Sequence, residues 1–81
     1  QLYRLYVERG WQGSGLASQL MSAALDEARG RGARFVWLTT WDWNQRGLRF
    51  YRKCGFEVIG TTTFIVGNDP QHDLVLSRPL D

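Results

Sequence analysis

Apolar and polar positions alternate along this chain in two rhythms. Leu2-Tyr3-Arg4-Leu5-Tyr6-Val7 is rich in aromatic and branched residues and predicts a strand. From Leu16 the period changes. Leu16, Ala17, Leu20, Met21, Ala24, Leu25 and Ala28 recur on one helical face, with Ser18, Gln19, Ser22, Asp26 and Arg29 on the other. Gly30 and Gly32 predict where that helix ends. Arg34 to Thr40 is a largely continuous apolar run, the pattern of a strand buried on both faces. Asp42 or Asn44 can cap a second helix that runs to about Cys54 and closes at Gly55. Phe56 to Val66 predicts a strand long enough to need a bend near Gly60. Gly67-Asn68-Asp69-Pro70 has turn chemistry, and Asp73-Leu74-Val75-Leu76-Ser77 predicts a last strand antiparallel to the one before.

The resulting order is β-α-β-α-β-β, an α/β (α+β) class with helices packed on a mixed parallel and antiparallel sheet. Strand, helix, strand implies a right-handed parallel crossover. Eighty-one residues make a single domain, 1–81, that buries only ~60% of its unfolded surface. The first strand has no sequence-local partner on its outer side. Such an apolar edge invites pairing with further residues or with another copy of the chain, a homodimer through the strand edge.

Hydrophobic content of 43% argues for a packed core rather than disorder. A net charge of +2 with scattered arginines predicts no nucleic-acid partner. Arg29, Arg31 and Arg34 read as a solvated turn with cations at a helix C-terminus. No apolar run approaches the ~20 residues that cross a bilayer, so no membrane partner is expected. The single cysteine, Cys54, excludes an internal disulfide framework and a Cys-rich metal site, reads as a small half-buried apolar residue, and fits a cytoplasmic location.

The most chemically pointed stretch is Gln12-Gly13-Ser14-Gly15-Leu16-Ala17, where the first strand gives way to the first helix. A Gly-rich turn opening a helix aims unpaired N–H groups outward at the positive end of the helix dipole, which suits a phosphate or pyrophosphate. Glycine there admits close approach and any positive φ the turn needs. A P-loop is excluded because no Gly-Lys-Ser/Thr follows, and a dinucleotide fingerprint because the third glycine is missing. A second pattern lies downstream: Asn44, a small residue at Gly47, Tyr51, and then Gly55-Phe56.

The Q-x-x-G-x-A run and the Asn44 to Phe56 run, in that order, resemble the two signatures of the GNAT N-acetyltransferase superfamily. The resemblance implies acetyl-CoA as co-substrate and transfer of an acetyl group to a primary amine by direct attack. It implies further strands and helices ahead of Gln1, so that this chain is the C-terminal, cofactor-binding portion of a longer domain. It places the pyrophosphate on the backbone amides of Gln12, Gly13, Ser14, Gly15, Leu16 and Ala17. The thioester carbonyl would be polarised by main-chain N–H groups at Tyr6 and Val7, where the strand would splay from its parallel neighbour. Asn44 would hydrogen-bond the pantetheine arm, cap the second helix, or do both. Tyr51 would be the general acid: a phenol with an ordinary pKa near ~10 is protonated at neutral pH and can donate to a leaving thiolate. Packing beside Phe50 and Phe56 is the other reading of Tyr51.

Glu8, Asp42 and His72 are candidates for a general base, His72 as an exposed residue in a turn. Trp37 reads as core, whereas Trp41 and Trp43 follow a parallel strand at the end where α/β ligands bind. Two positions depart from the family pattern: Arg9 stands where proline is frequent, and Gly47 where alanine is usual. The tail from Val66 to Leu76 resembles that of a polyamine-acetylating subgroup, and Asp42, Asp69 and Asp73 offer negative charge to a cationic amine. A small amine or polyamine is therefore the expected acceptor, with a protein N-terminus or lysine next. The competing classes are a CoA-binding sensor or interaction module without turnover, and a nucleotide-phosphate binder.

Overall fold

The computed structural model describes residues 2–5, 15–42 and 44–80. Within them the elements are β1 (Leu2–Arg4), α1 (Leu16–Gly30), β2 (Phe35–Trp41), α2 (Gln45–Lys53), β3 (Glu57–Val66) and β4 (Asp69–Pro79). They form one mixed sheet in the order β1-β2-β4-β3, with β1 parallel to β2 and β4 antiparallel to both its neighbours. The last strand thus inserts between the second and third, leaving β1 and β3 at the edges.

Alternation along β2 sets the core. Val36, Leu38 and Thr40 are buried on one face, and Leu38 stands in register with Leu76 of β4. Met21, Leu25 and Ala28 of α1 and Tyr51 of α2 join Leu5, Val36, Leu38, Phe56 and Leu76 in a single buried cluster. Each such large side chain contributes ~1.5–3 kcal/mol on burial. The exposed ion pairs Arg29–Asp26 (3.1 Å) and Arg31–Glu27 (3.0 Å) sit at the end of α1, where pairs of this kind contribute ~0.2–1 kcal/mol. The apolar face therefore holds the fold together, and the arginine turn is the solvated one expected.

The predicted stripe of α1 is buried at Ala17, Met21, Leu25 and Ala28, while Leu16 at its start is exposed. Both helices end in the same device. Gly32 (φ 78°) follows α1, with N–H bonds from Gly32 to the Arg29 carbonyl (3.0 Å) and from Ala33 to that of Ala28 (3.0 Å). Gly55 (φ 92°) follows α2, with Gly55 bonded to Arg52 and Phe56 to Tyr51, both at 3.0 Å. This is the Schellman pattern, in which a left-handed residue lets two orphan carbonyls be satisfied.

Three expectations need correction. β2 is buried on one face only: Phe35 and Trp41 are 45% and 55% exposed, because both helices contribute to the same face of the sheet. Trp37 is half-buried rather than core, and the Arg4 guanidinium lies 4.7 Å over its ring. β4 begins at Asp69 rather than Asp73, so the turn is only Gly67-Asn68 and His72 lies in a strand. Pro70 is tolerated there because it lies beyond the stretch of β4 that pairs with β2, where a missing N–H breaks no second ladder. The bend near Gly60 is present as a register shift between Val58 and Gly60.

Candidate functional site

Two helices follow two parallel strands, so each must run back against the sheet, and both N-termini lie at the carboxyl end of the β1/β2 pair. That end collects the expected chemistry. Tyr6, Val7, Gln12, Gly13 and Ser14, together with Glu8, Arg9 and Trp43, lie outside the described residues. The polarising amides and most of the pyrophosphate loop are therefore not placed.

Gly15 is the N-cap of α1, with φ −61° and ψ −17°. It does not need positive φ, contrary to one reason for expecting glycine there. Packing does not demand glycine either: no heavy atom lies within 4 Å of where a Cβ would stand, which leaves that space to a ligand. Gly15 also supplies no capping side chain, and the first turn of α1 holds no acidic residue. Among the described residues, an anion approaching this helix end meets neither a capping side chain nor an acidic residue of the first turn, which fits a diphosphate. Ala17 is buried, while Leu16 stands exposed.

Asn44 is the N-cap of α2 and is heavily engaged. Its Oδ1 accepts from the Gly47 N–H (3.0 Å), and its Nδ2 donates to Thr40 Oγ1 (3.0 Å). Its own N–H donates to the Trp41 carbonyl (3.0 Å). The capping role expected of Asn44 is present. An amide nitrogen has two hydrogens, so one N–H of Nδ2 remains for a ligand. The bond to Thr40 also satisfies a hydroxyl that is 7% exposed.

Tyr51 sits in the middle of α2, only 2% exposed, edge-on to Phe50 (centroids 5.7 Å) and to Phe56 (6.2 Å). The ring packs between Phe50 and Phe56, as the second reading of Tyr51 expects. Gly47, one turn earlier, is also buried.

Among the base candidates, Asp42 and His72 are exposed neighbours, joined by a bond from the Asp42 N–H to the His72 carbonyl (3.3 Å). His72 Nδ1 lies 3.2 Å from Thr63 Oγ1. Asp73 behaves differently. It is 7% exposed, stands in register with Trp41 and Thr62, and accepts from Gln71 Nε2 at 2.9 Å. Its sequence offers an acidic residue in a strand, and only the pairing with the end of β2 reveals its burial.

Burial pushes the Cys54 thiol above its ordinary pKa, partly offset by the Arg78 guanidinium, so it is a poor nucleophile. Among the described residues no group of His, Cys, Asp and Glu could hold a metal ion, and no helix is long and apolar enough to cross a membrane.

Comparison with known proteins agrees with this architecture. A profile of the Acetyltransferase (GNAT) family matches residues 1–56. An uncharacterized N-acetyltransferase of Mycobacterium tuberculosis (strain ATCC 25618 / H37Rv) is 42% identical over 80 residues, covering 99% of this chain and 51% of the relative. The crystal structure of nourseothricin acetyltransferase superposes with a TM-score of 0.76 at 28% identity, over 99% of this chain and 49% of that one. A GNAT family acetyltransferase from Elizabethkingia anophelis, crystallised with acetyl-CoA bound, shares the fold with a TM-score of 0.78 at 15% identity, over 99% and 61% of the two chains. The chain thus spans about half the length of the curated relatives it matches. On the matched profile, the extent of identity to its relatives and the shared fold, this chain belongs to the GNAT acetyltransferase family.

Proposed function

We infer that the protein carrying this chain transfers an acetyl group from acetyl-CoA to a primary amine of a small molecule by direct attack. The observation that carries the reading is the shared location of the two helix N-termini, one whose cap residue Gly15 brings no capping side chain, the other capped by the Asn44 side chain. Acetyl-CoA supplies the activated thioester when bound. Backbone amides from Gln12 to Ala17 hold the diphosphate at the start of α1. The free N–H of Asn44 Nδ2 meets the pantetheine arm, and main-chain N–H groups at Tyr6 and Val7 polarise the carbonyl. The Tyr51 hydroxyl gives its proton to the departing sulfur. A small-molecule acceptor is supported by the likeness to nourseothricin acetyltransferase, and a cytoplasmic setting by the lone cysteine.

The rival reading, a CoA-binding module without turnover, draws on the near-complete burial of Tyr51. Thiol release from acetyl-CoA by the full-length protein, measured with and without a panel of primary amines, separates them. Amine-dependent release that falls about 10²-fold in Tyr51→Phe, with CoA affinity kept, supports transfer with Tyr51 as acid. CoA binding without amine-dependent release supports the module. Gly15→Trp tests the cradle itself. A Cβ there meets open space, and in variant protein whose circular dichroism matches the parent CoA affinity should drop at least ~10-fold, about 1.4 kcal/mol. Unchanged affinity in folded Gly15→Trp overturns the cofactor assignment.

A further inference from the structure

We propose that Asp73 and Trp41 form the binding site for a second cationic group on the acceptor, so that the preferred substrate is an amine carrying another positive charge. The inference rests on the acetyl-transfer reading above and narrows its substrate.

A carboxylate withdrawn from water is normally neutralised by a cation, because hydrogen bonds from neutral groups compensate only part of the lost hydration. Asp73 is 7% exposed, yet among the described residues no cation pairs with it; its hydrogen bond is to the neutral amide of Gln71. On the same face and directly opposite in the ladder stands Trp41, which is 55% exposed. An aromatic face that large in water is costly, and beside a carboxylate it suits a cation. The same sheet face already shows that chemistry in use. Four positions along β2, Trp37 has its ring covered by the Arg4 guanidinium carbon at 4.7 Å. Trp41 repeats the aromatic component, and Asp73 adds a carboxylate.

The location fits an acceptor subsite. Trp41 is the last residue of β2, and its carbonyl accepts from the N–H of Asn44, the cap of α2. The pair therefore sits at the end of the sheet where the cofactor is expected, displaced by one strand from the β1/β2 gap. An ammonium or guanidinium lodged against Asp73 and Trp41 leaves the reacting amine free to reach toward that gap.

The test compares 1,4-diaminobutane with butylamine, which share a reactive amine and differ in the second charge. The full-length protein is used with acetyl-CoA, and the readout is the ratio of their kcat/KM values. Diaminobutane binding is measured separately by calorimetry in the presence of CoA. The expected result is a ratio above ten, falling at least tenfold in Asp73→Asn and at least threefold in Trp41→Leu, with calorimetric binding lost in Asp73→Asn. Trp41 is exposed, so Trp41→Leu remains an informative fold even if Asp73→Asn is unstable. A ratio near one, or one that neither variant moves, overturns the subsite while leaving amine acetylation standing. Asp73-dependent binding of the diamine without thiol release keeps the subsite and overturns acetyl transfer.

Discussion

Gly55 shows how much a single backbone angle carries. It holds φ 92°, and a Cβ placed there would come within 2.9 Å of Arg78 Nε. Gly55→Ala therefore combines a left-handed alanine, at ~1–2 kcal/mol, with displacement of a flexible side chain that can move away. Urea denaturation should show a loss of about 1–2 kcal/mol. The neighbouring Cys54 titrates the other way from a reactive thiol. Its folded pKa lies above the ordinary value, with burial the larger cause and Arg78 opposing it. The unfolded chain then releases the thiol proton first, so any stability linked to Cys54 is full below the ordinary thiol range and declines as pH rises through the folded value. Iodoacetamide should alkylate folded protein more slowly than unfolded protein at pH 8.5, and removing the cation in Arg78→Ala should slow it further.

At the scale of elements, what the sequence made readable was whatever depends on local pattern. The stripe of α1, the Asn44 cap and the closing Gly55 each follow from chemistry within one turn of the residue concerned. The side of the sheet on which each helix lands is different, because it depends on crossovers and strand order. That is why Trp37, an aromatic residue in an apolar run, proved half-buried rather than core. Turn composition likewise hid the start of β4, since Asp69 and Pro70 are turn formers held in a strand by pairing with Val66 and Ile65. Of the candidate site, the two helix starts and the packing of Tyr51 beside Phe50 and Phe56 were legible from their motifs and neighbours, whereas the burial of Asp73 was not.

The Asn44 cap offers a clean separation of roles. Asn44→Ala loses the acceptor for Gly47 and strands the buried Thr40 hydroxyl, costing about 2 kcal/mol in urea denaturation. Asn44→Asp keeps an oxygen for Gly47 and can accept from the Thr40 hydroxyl, so its stability should stay within about 0.5 kcal/mol of the parent. It has no N–H left to offer pantetheine. If Asn44 binds the cofactor arm as well as capping α2, CoA affinity falls in Asn44→Asp although stability does not.

Across the whole molecule, cohesion is uneven. Leu38 and Leu76 are wholly buried where β2, β4 and both helices meet, and Leu38→Ala should cost about 2–5 kcal/mol. Further out the sheet thins. From Asp69 to His72, β4 pairs only with β3 among the described residues, and almost every residue of this outer hairpin is exposed, including Ile65 and Val66. Hydrogen exchange should register the gradient: amides from Thr61 to Val66 should exchange at least tenfold faster than those of Val75 and Leu76.

The two-residue turn at Gly67-Asn68 gives that hairpin an unusual sensitivity. Among the described residues left-handed φ occurs at Gly67 but at no non-glycine residue, the signature of a II′ turn that fixes which residues face each other. Inserting one residue there would slide Asp69 to His72 by a single step against β3 while Asp73 to Pro79 stay clamped to β2. The mismatch would collect just beside Asp73. A length change at the exposed tip of the outer hairpin would thus be felt as altered amine selectivity four residues further along β4, at Asp73.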